Sequence, residues 1–306
     1  MVAAAPVLCL PADDSQEHAT SGLHDGYRAG VTAFAQGTQP GVFRPRSLIV
    51  TIYGLYARDE SGWLSVAALI RLMAELDVEE PAVRSSISRL KRRGLLEAER
   101  VDKVAGYALS DEARTILDEG DRRIFARPQA RLEDGWLLAV FSVPESQRQH
   151  RHRLRARLGW LGFGTVSAGV WVAPAHLDGE TRDVLERSGL TAYVDLFRAS
   201  YLAFGNVSDH VAQWWDLGAL QAQYAAFLTT YTPLLTRWGP GRDSEPDAFS
   251  DYVRALTAWR RLPFLDPGLA DDVLPVGWPG HPAADLIAAI QARLSGPAER
   301  FVRSVR

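Results

Sequence analysis

Cysteine is all but missing from this chain: its 306 residues contain one, Cys9. An intramolecular disulfide and a cysteine metal cluster are therefore excluded, and the expected compartment is a reducing cytoplasm. Long apolar runs are missing too. No stretch approaches the about 18 uncharged apolar residues that a membrane helix needs. The apolar run within Met1–Leu10 has no basic segment before it and is followed by Asp13 and Asp14, so it reads as tail and not as a signal peptide. Catalytic signatures are absent as well: there is no G-x-S-x-G, no P-loop and no G-x-G-x-x-G behind a strand. The seven His are scattered, with no Cys or carboxylate at ligand spacing. Gly159–Gly164 (GWLGFG) follows a helical stretch, which makes its likeness to a phosphate loop superficial. Bulk positive charge is lacking, since 34 Lys+Arg face 37 Asp+Glu for a net −3. Contact with a polyanion would have to come from a local patch.

Such a patch exists in Glu79–Leu109 (EEPAVRSSISRLKRRGLLEAERVDKVAGYAL). Val83, Ile87 and Leu90 recur at i, i+4 and i+7 and so share one helix face. Pro81 suits a first turn, where its missing N–H has no helical partner to lose. At about 100° per residue, Ser85, Ser88, Arg89 and Arg92 point away from the apolar stripe, with Arg84 and Lys91 on its flanks. No acidic residue falls between Pro81 and Leu96. Gly94 supplies a C′ stop. Leu95–Val101 and Tyr107–Ser110 then read as strands around a tip containing Lys103 and Gly106. Helix, stop and basic-tipped hairpin, with helices in front, spell a winged helix-turn-helix. A solvated basic helix beside an ordinary hairpin is the plainer alternative. The third helix is expected in the major groove, with the second across the backbone. Arg is favoured there because its fork matches two acceptors on guanine. Short Ser side chains allow close approach. With Arg46 from the opening FRPR segment, the candidate DNA-contacting residues are Arg46, Arg84, Ser85, Ser88, Arg89, Lys91, Arg92 and Lys103.

The rest of the chain divides around this stretch into an α+β multidomain protein. Residues 1–42 lack sustained periodicity and read as a loosely ordered extension, with a short helix conceivable over Asp25–Gln36. Residues 43–130 hold the winged-helix unit: a helix Leu48–Arg58 capped by Ser47, a turn over Asp59–Trp63, a helix Val66–Leu76 capped by Ser65, the basic helix, and an acidic helix Asp111–Arg127 leading to a hinge near Pro128. Residues 131–204 show strand WLLAVFSV, helix Ser146–Leu158, strands Thr165–Val166 and Val170–Val172, helix Asp178–Arg187 and strand Thr191–Phe197. That β-α-β-β-α-β order is ferredoxin-like, with both helices expected on one face. Residues 205–306 form a helical C-terminal domain. In it, an amphipathic stretch from Val211 is closed by Pro233 and the Gly239–Pro240–Gly241 turn. A helix around Phe249–Trp259, a structured loop Pro263–Gly280 and a last helix Ala283–Leu294 follow. Trp214, Trp215, Trp259 and Trp278 are expected in the core. The helix Ser146–Leu158 carries Arg148, Arg151, Arg153, Arg155 and Arg157. It reads either as a solvated face or as a second anion site. A metal site from His150 and His152 is disfavoured, since i and i+2 point apart on a helix.

Three blocks in order resemble the PaaX family of bacterial transcriptional repressors, named for control of phenylacetic acid degradation. They are RPRSLIVTIYGLYAR with WLSVAALIRLMAELDVEEPAVRSSISRLKRRGLLEAERV and GYALSDEA; WLLAVFSVPESQRQHRHRLRARLGWLGFGTVSAGVWVAP; and WDLGALQAQYAAFLTTYTPLL with WRRLPFLDPGLADDVLPVGWPG. The resemblance implies an N-terminal winged helix, a central Cas2-like ferredoxin fold and a helical C-terminal domain. It also implies a homodimer on a palindromic double-stranded operator, no resident cofactor, and release by an acyl-CoA effector, phenylacetyl-CoA in the namesake. Arg148, Arg151 and Arg155 are then the candidates for the CoA phosphates, and the aromatic C-terminal region for the acyl group. The extension 1–42 is longer than the family's usual start. Likeness to Cas2 raises a metal-dependent nuclease as an alternative. Where such nucleases carry an Asp at the end of the first strand, this chain has Phe141-Ser142-Val143, with no acid before Glu145. A winged helix used only for protein interaction is the other alternative, and the basic outer helix face argues against it.

Overall fold

The computed structural model describes residues 43–306 apart from 59–60, 127–128, 203, 240 and 242–243. The expectations for the extension 1–42, its helix at Asp25–Gln36, Cys9 and the hinge at Pro128 lie outside the described residues. The first helix, α1 (Pro45–Ile52), begins at Pro45 and runs into a π-helical turn, Tyr53–Ala57. Ser47 therefore sits inside the helix and does not cap it. Its carbonyl instead accepts from Thr51 Oγ1 and from Arg260, each at 3.1 Å. Part of the expected turn before Ser65 is a strand, β1 (Trp63–Ser65), too short to show a period of its own. Ser65 caps α2 (Val66–Ala74), its hydroxyl accepting from the Ala68 N–H at 3.0 Å. Asp77, at φ +59°, turns the chain into α3 (Glu80–Arg92).

β2 (Leu96–Val101) and β3 (Val104–Leu109) follow, and β3 lies between β1 and β2. The hairpin tip is Asp102–Lys103, both at positive φ, as a primed two-residue turn requires. Gly106 is not at the tip. It lies inside β3 opposite Ser65 and Glu99, where a Cβ would stand 2.3 Å from the Trp63 ring. Ser110 caps α4 (Asp111–Asp121), which extends through a π-helical turn, Arg122–Ala126.

The central segment has the expected order: β4 (Trp136–Phe141), α5 (Arg148–Trp160), β5 (Gly164–Ser167), β6 (Val170–Pro174), α6 (Asp178–Arg187) and β7 (Val194–Ala199). The sheet runs β5-β6-β4-β7 with every neighbour antiparallel. Strand alternation sends Leu137, Ala139 and Phe141 to the face covered by Leu154 and Leu158 of α5 and Val184 and Leu185 of α6. On the opposite face, Trp136 meets Trp214 edge-on at 5.9 Å and Trp215 at 6.2 Å. Trp215 also donates to the Gly162 carbonyl at 2.8 Å. Val140 and Phe197 of that face stay exposed.

The C-terminal helices are α7 (Val207–Trp214), α8 (Leu217–Arg237), α9 (Glu245–Trp259), α10 (Leu262–Leu265) and α11 (Gly280–Val305). Two boundaries differ from expectation for one reason. Pro233 lies inside α8 and Pro297 inside α11. Each ring removes a single helical bond, and the apolar stripe continues beyond it, through Leu234 in one case and Ala298, Val302 and Val305 in the other. Trp215, Trp259 and Trp278 are buried as expected, and Trp214 is half-buried.

One part of the core crosses between the segments read from sequence. One apolar cluster runs from Leu48 through α2, α3 and α4 to Val305, so the N-terminal helices share an interior with α8, α9 and α11. Thr51 and Thr257 bond to each other across it at 2.7 Å, and Trp259 Nε1 donates to the Ile124 carbonyl at 3.1 Å. Arg123, 8% exposed, fastens the third part. Its guanidinium donates to the Trp160 and Leu161 carbonyls at 3.0 and 2.8 Å and pairs with Glu180 at 3.1 Å. It also lies 5.3 Å from the Trp160 ring and 5.4 Å from that of Phe264. Replacing Arg123 by Ala strands two carbonyls and a carboxylate, so chemical denaturation should show a loss of about 3 kcal/mol. Arg123→Met, which keeps the packing, should recover only part of it.

Candidate nucleic-acid interface

The local chemistry of α3 dictates an outward basic row. Val83, Ile87 and Leu90 are buried, together with Ser86. Arg84, Ser85, Ser88, Arg89, Lys91, Arg92 and Arg93 are all exposed. The helix ends by a paired device: the Gly94 N–H bonds to the Lys91 carbonyl at 2.9 Å and the Leu95 N–H to the Leu90 carbonyl at 3.0 Å. Gly94 takes φ +69° to allow it. The chain then drops Leu95 and Leu96 into the core and leaves along β2. α2 packs against α3, and α3 against β2, so helix row and hairpin are held as one body.

The cations on this surface are in different circumstances. Arg84 pairs with Glu80 one turn back, at 2.7 Å, an exposed contact worth only a few tenths of a kcal/mol. Lys91 stands 5.5 Å over the Tyr107 ring of β3. Lys103, at the hairpin tip, is exposed with φ +69°. Arg89 and Arg92 form no ion pair among the described residues and face solvent on the same side of the helix as Ser85 and Ser88. Arg93, next to Arg92 at the end of α3, is also exposed and lengthens the row, and Arg71 on α2 is exposed too. Arg93 directly follows Arg92 in the chain, and neither it nor Arg71 was among the candidate contacts. Arg46 stands elsewhere, half-buried in the first turn of α1, a helix packed against α9.

The arginines of α5 do not converge on one cavity. Arg151 bonds to Glu145 at 3.0 Å and to the Val143 carbonyl at 2.6 Å. Arg153 donates to the Ser188 carbonyl at 3.0 Å, and Arg155 lies 5.8 Å from the Trp171 ring. The Arg157 guanidinium has its pKa held down by burial and then by its neighbours Arg153 and Arg187. Of the three candidates, Arg148, Arg151 and Arg155, Arg148 is exposed and the other two are half-buried. His150 stacks on Tyr193 at 4.8 Å. Beyond β4, Ser142 is exposed and Glu145 is engaged by Arg151. Among the described residues, no group of three or more His, Cys, Asp or Glu is placed to hold a metal ion. No described helix is long and apolar enough to cross a membrane.

Comparison with known proteins places matches along the described chain. Family models match residues 44–113 (PaaX-like protein), 129–211 (PaaX protein central Cas2-like domain) and 215–304 (PaaX-like protein C-terminal domain). Transcriptional repressor PaaX of Escherichia coli (strain K12) is 26% identical over 261 residues, which cover 84% of this chain and 82% of that one. Among solved structures, the uncharacterized protein Rv0674 from Mycobacterium tuberculosis superposes with a TM-score of 0.58 at 23% identity, covering 85% of this chain and 98% of its own. At that identity the likeness concerns the fold alone.

The stop at Gly94 can be tested by itself. A Cβ there would meet nothing nearer than a Glu112 oxygen at 3.9 Å, so any cost lies in the backbone. Gly94→Ala should lower unfolding stability by about 1–2 kcal/mol, and Gly94→Asn by clearly less, since Asn tolerates the left-handed region.

Proposed function

The chain belongs to the PaaX family, and on that premise we propose that it is a transcriptional repressor whose winged helix-turn-helix reads duplex DNA. The domains in this reading are a winged helix over 43–130, a ferredoxin-like central domain over 131–204 and a helical domain over 205–306. One observation carries it: Arg89 and Arg92 stand exposed on a helix whose opposite face is buried, without ion-pair partners among the described residues, beside a hairpin tipped by Lys103. α3 enters the major groove, Ser85 and Ser88 let it approach, and Lys91, Arg84 and Lys103 contact phosphates or the minor-groove edge. Arg46 belongs to this set only if α1 reaches the backbone. The function is regulatory and not enzymatic.

Two finer features complete the proposal. The protein acts as a homodimer, whose two α3 helices meet half-sites about 34 Å apart, one turn of B-DNA. An acyl-CoA, phenylacetyl-CoA by family likeness, favours a conformation in which that spacing or orientation is wrong. Operator affinity then drops by a coupling energy of about 1–3 kcal/mol.

Binding to the DNA upstream of its own coding sequence tests the first part. Arg89→Ala combined with Arg92→Ala should weaken binding at least about tenfold and make its salt dependence shallower by about 2 in slope. Unchanged affinity would discard the assignment of α3. Sedimentation of the DNA-bound protein should give two chains of 33.7 kDa per operator. One chain per operator would overturn the pairing.

A further inference from the structure

Where the three parts of the chain meet, the packing leaves a cavity of about 540 Å³. That is within the ~300–1,000 Å³ of small-molecule sites. Its walls come from the π-helical turn after α4, from the start of α6 and from the loop between α10 and α11. Phe125, Leu177, Leu269 and Leu274 supply the apolar part of a lining that also holds charged and polar side chains.

The acids around it are already engaged. Glu180 is held by Arg123. Asp266 accepts from the Tyr224 hydroxyl at 2.7 Å and from the Gly268 N–H at 2.9 Å. Asp271, beside the mouth, meets His281 at 2.8 Å and Gln129 at 2.6 Å. Two lining groups keep bonding capacity. Arg122 is exposed at the rim and forms no ion pair among the described residues. His176 has its Nδ1 buried without a hydrogen-bond partner among the described residues. Burial, and then the adjacent Arg123, hold the His176 pKa below its usual value, which favours the neutral ring. A neutral ring can donate a hydrogen bond to a carbonyl without bringing a charge inside.

We propose that this cavity is the effector site and that it takes an acyl group: an apolar body among the leucines and Phe125, a carbonyl toward His176, and an anionic group toward Arg122. The inference rests on the reading of the protein as an effector-released repressor. The free acid and its CoA thioester share this chemistry. Arg123 lines the same cavity while holding Glu180, Trp160 and Leu161. A ligand that displaces Glu180 or crowds Arg123 therefore acts on the joint that sets the N-terminal helices against the central sheet. A ligand shifts a protein between arrangements only through contacts that differ between them, and this joint is where the bound ligand makes such a contact.

Two substitutions fill the cavity: Gly179→Phe at the start of α6 and Ala284→Trp on α11. A Cβ on Gly179 meets no atom within 4 Å, so that variant is expected to fold with an unchanged unliganded Tm. The full-length protein is heated with phenylacetate, phenylacetyl-CoA or CoA alone. For the wild type, the acid or the thioester should raise Tm by about 5 °C at a hundredfold excess over Kd. Both variants should lose the shift. Response to the acid assigns the free acid, and response to the thioester alone assigns the thioester. An equal shift with CoA alone overturns the acyl assignment. A wild-type shift that both variants retain overturns the cavity as the site while leaving the effector reading intact. No wild-type shift with any probe removes the site, and the effector reading falls separately if the same probes also leave the protein bound to its upstream DNA.

Discussion

A buried guanidinium holds this molecule together. Removing a charge from water is costly unless hydrogen bonds and a counter-charge replace the hydration. Arg123 meets that demand only where three remote segments converge: two carbonyls at the end of α5, a carboxylate on α6, and the faces of Trp160 and Phe264. No local arrangement within α4 could supply those partners. The position of the central sheet relative to the N-terminal helices is thereby specified by chemistry more demanding than apolar contact, which tolerates sliding.

The second constraint is the shared interior. The α1–α4 bundle is not tethered as a separate bead, because its core is continuous with α8, α9 and α11. Polar ties across the same boundary fix the register: Thr51 to Thr257, Arg260 to the Ser47 carbonyl, and Arg254 to Asp77 at 2.7 Å. The central sheet keeps its own core under α5 and α6 and touches the rest through the Trp136–Trp214–Trp215 cluster and Arg123. The N-terminal helices thus join the C-terminal ones through a continuous interior, and the sheet joins both through aromatic rings and the buried Arg123. The basic row of α3 lies on the part whose interior is continuous with the C-terminal helices.

The sequence was readable wherever a feature closes within a few turns of chain. The stripe Val83–Ile87–Leu90, the Gly94 stop, the Ser65 cap and the β-α-β-β-α-β order depend on neighbours a few residues apart, and the folded chain has each of them. The exposure of Arg89 and Arg92 followed from the same geometry, since a helix that buries one face must present the other. Boundaries set by breakers were less legible. Pro233 was expected to close one helix and Leu294 to end the last, yet both helices run on, because burial of the next apolar turn outweighed the hydrogen bond lost at Pro233 and Pro297.

What the sequence by itself determined is therefore the outward basic face of α3: its helix, its spacing and its sign. Tertiary structure alone decided how the remaining cations are used. The arginines of α5 looked like a ligand site as a row, but Arg151, Arg153 and Arg155 each find a carbonyl, a carboxylate or a ring within the protein. It likewise turned Gly106 from a turn residue into a close contact for Trp63, made Trp63–Ser65 a strand, and gave Arg123 its joint. The reason is range. Periodicity and caps are settled by atoms a few residues away, whereas a charge's partner is settled by whichever distant segment the packed core brings within 3 Å or so of it.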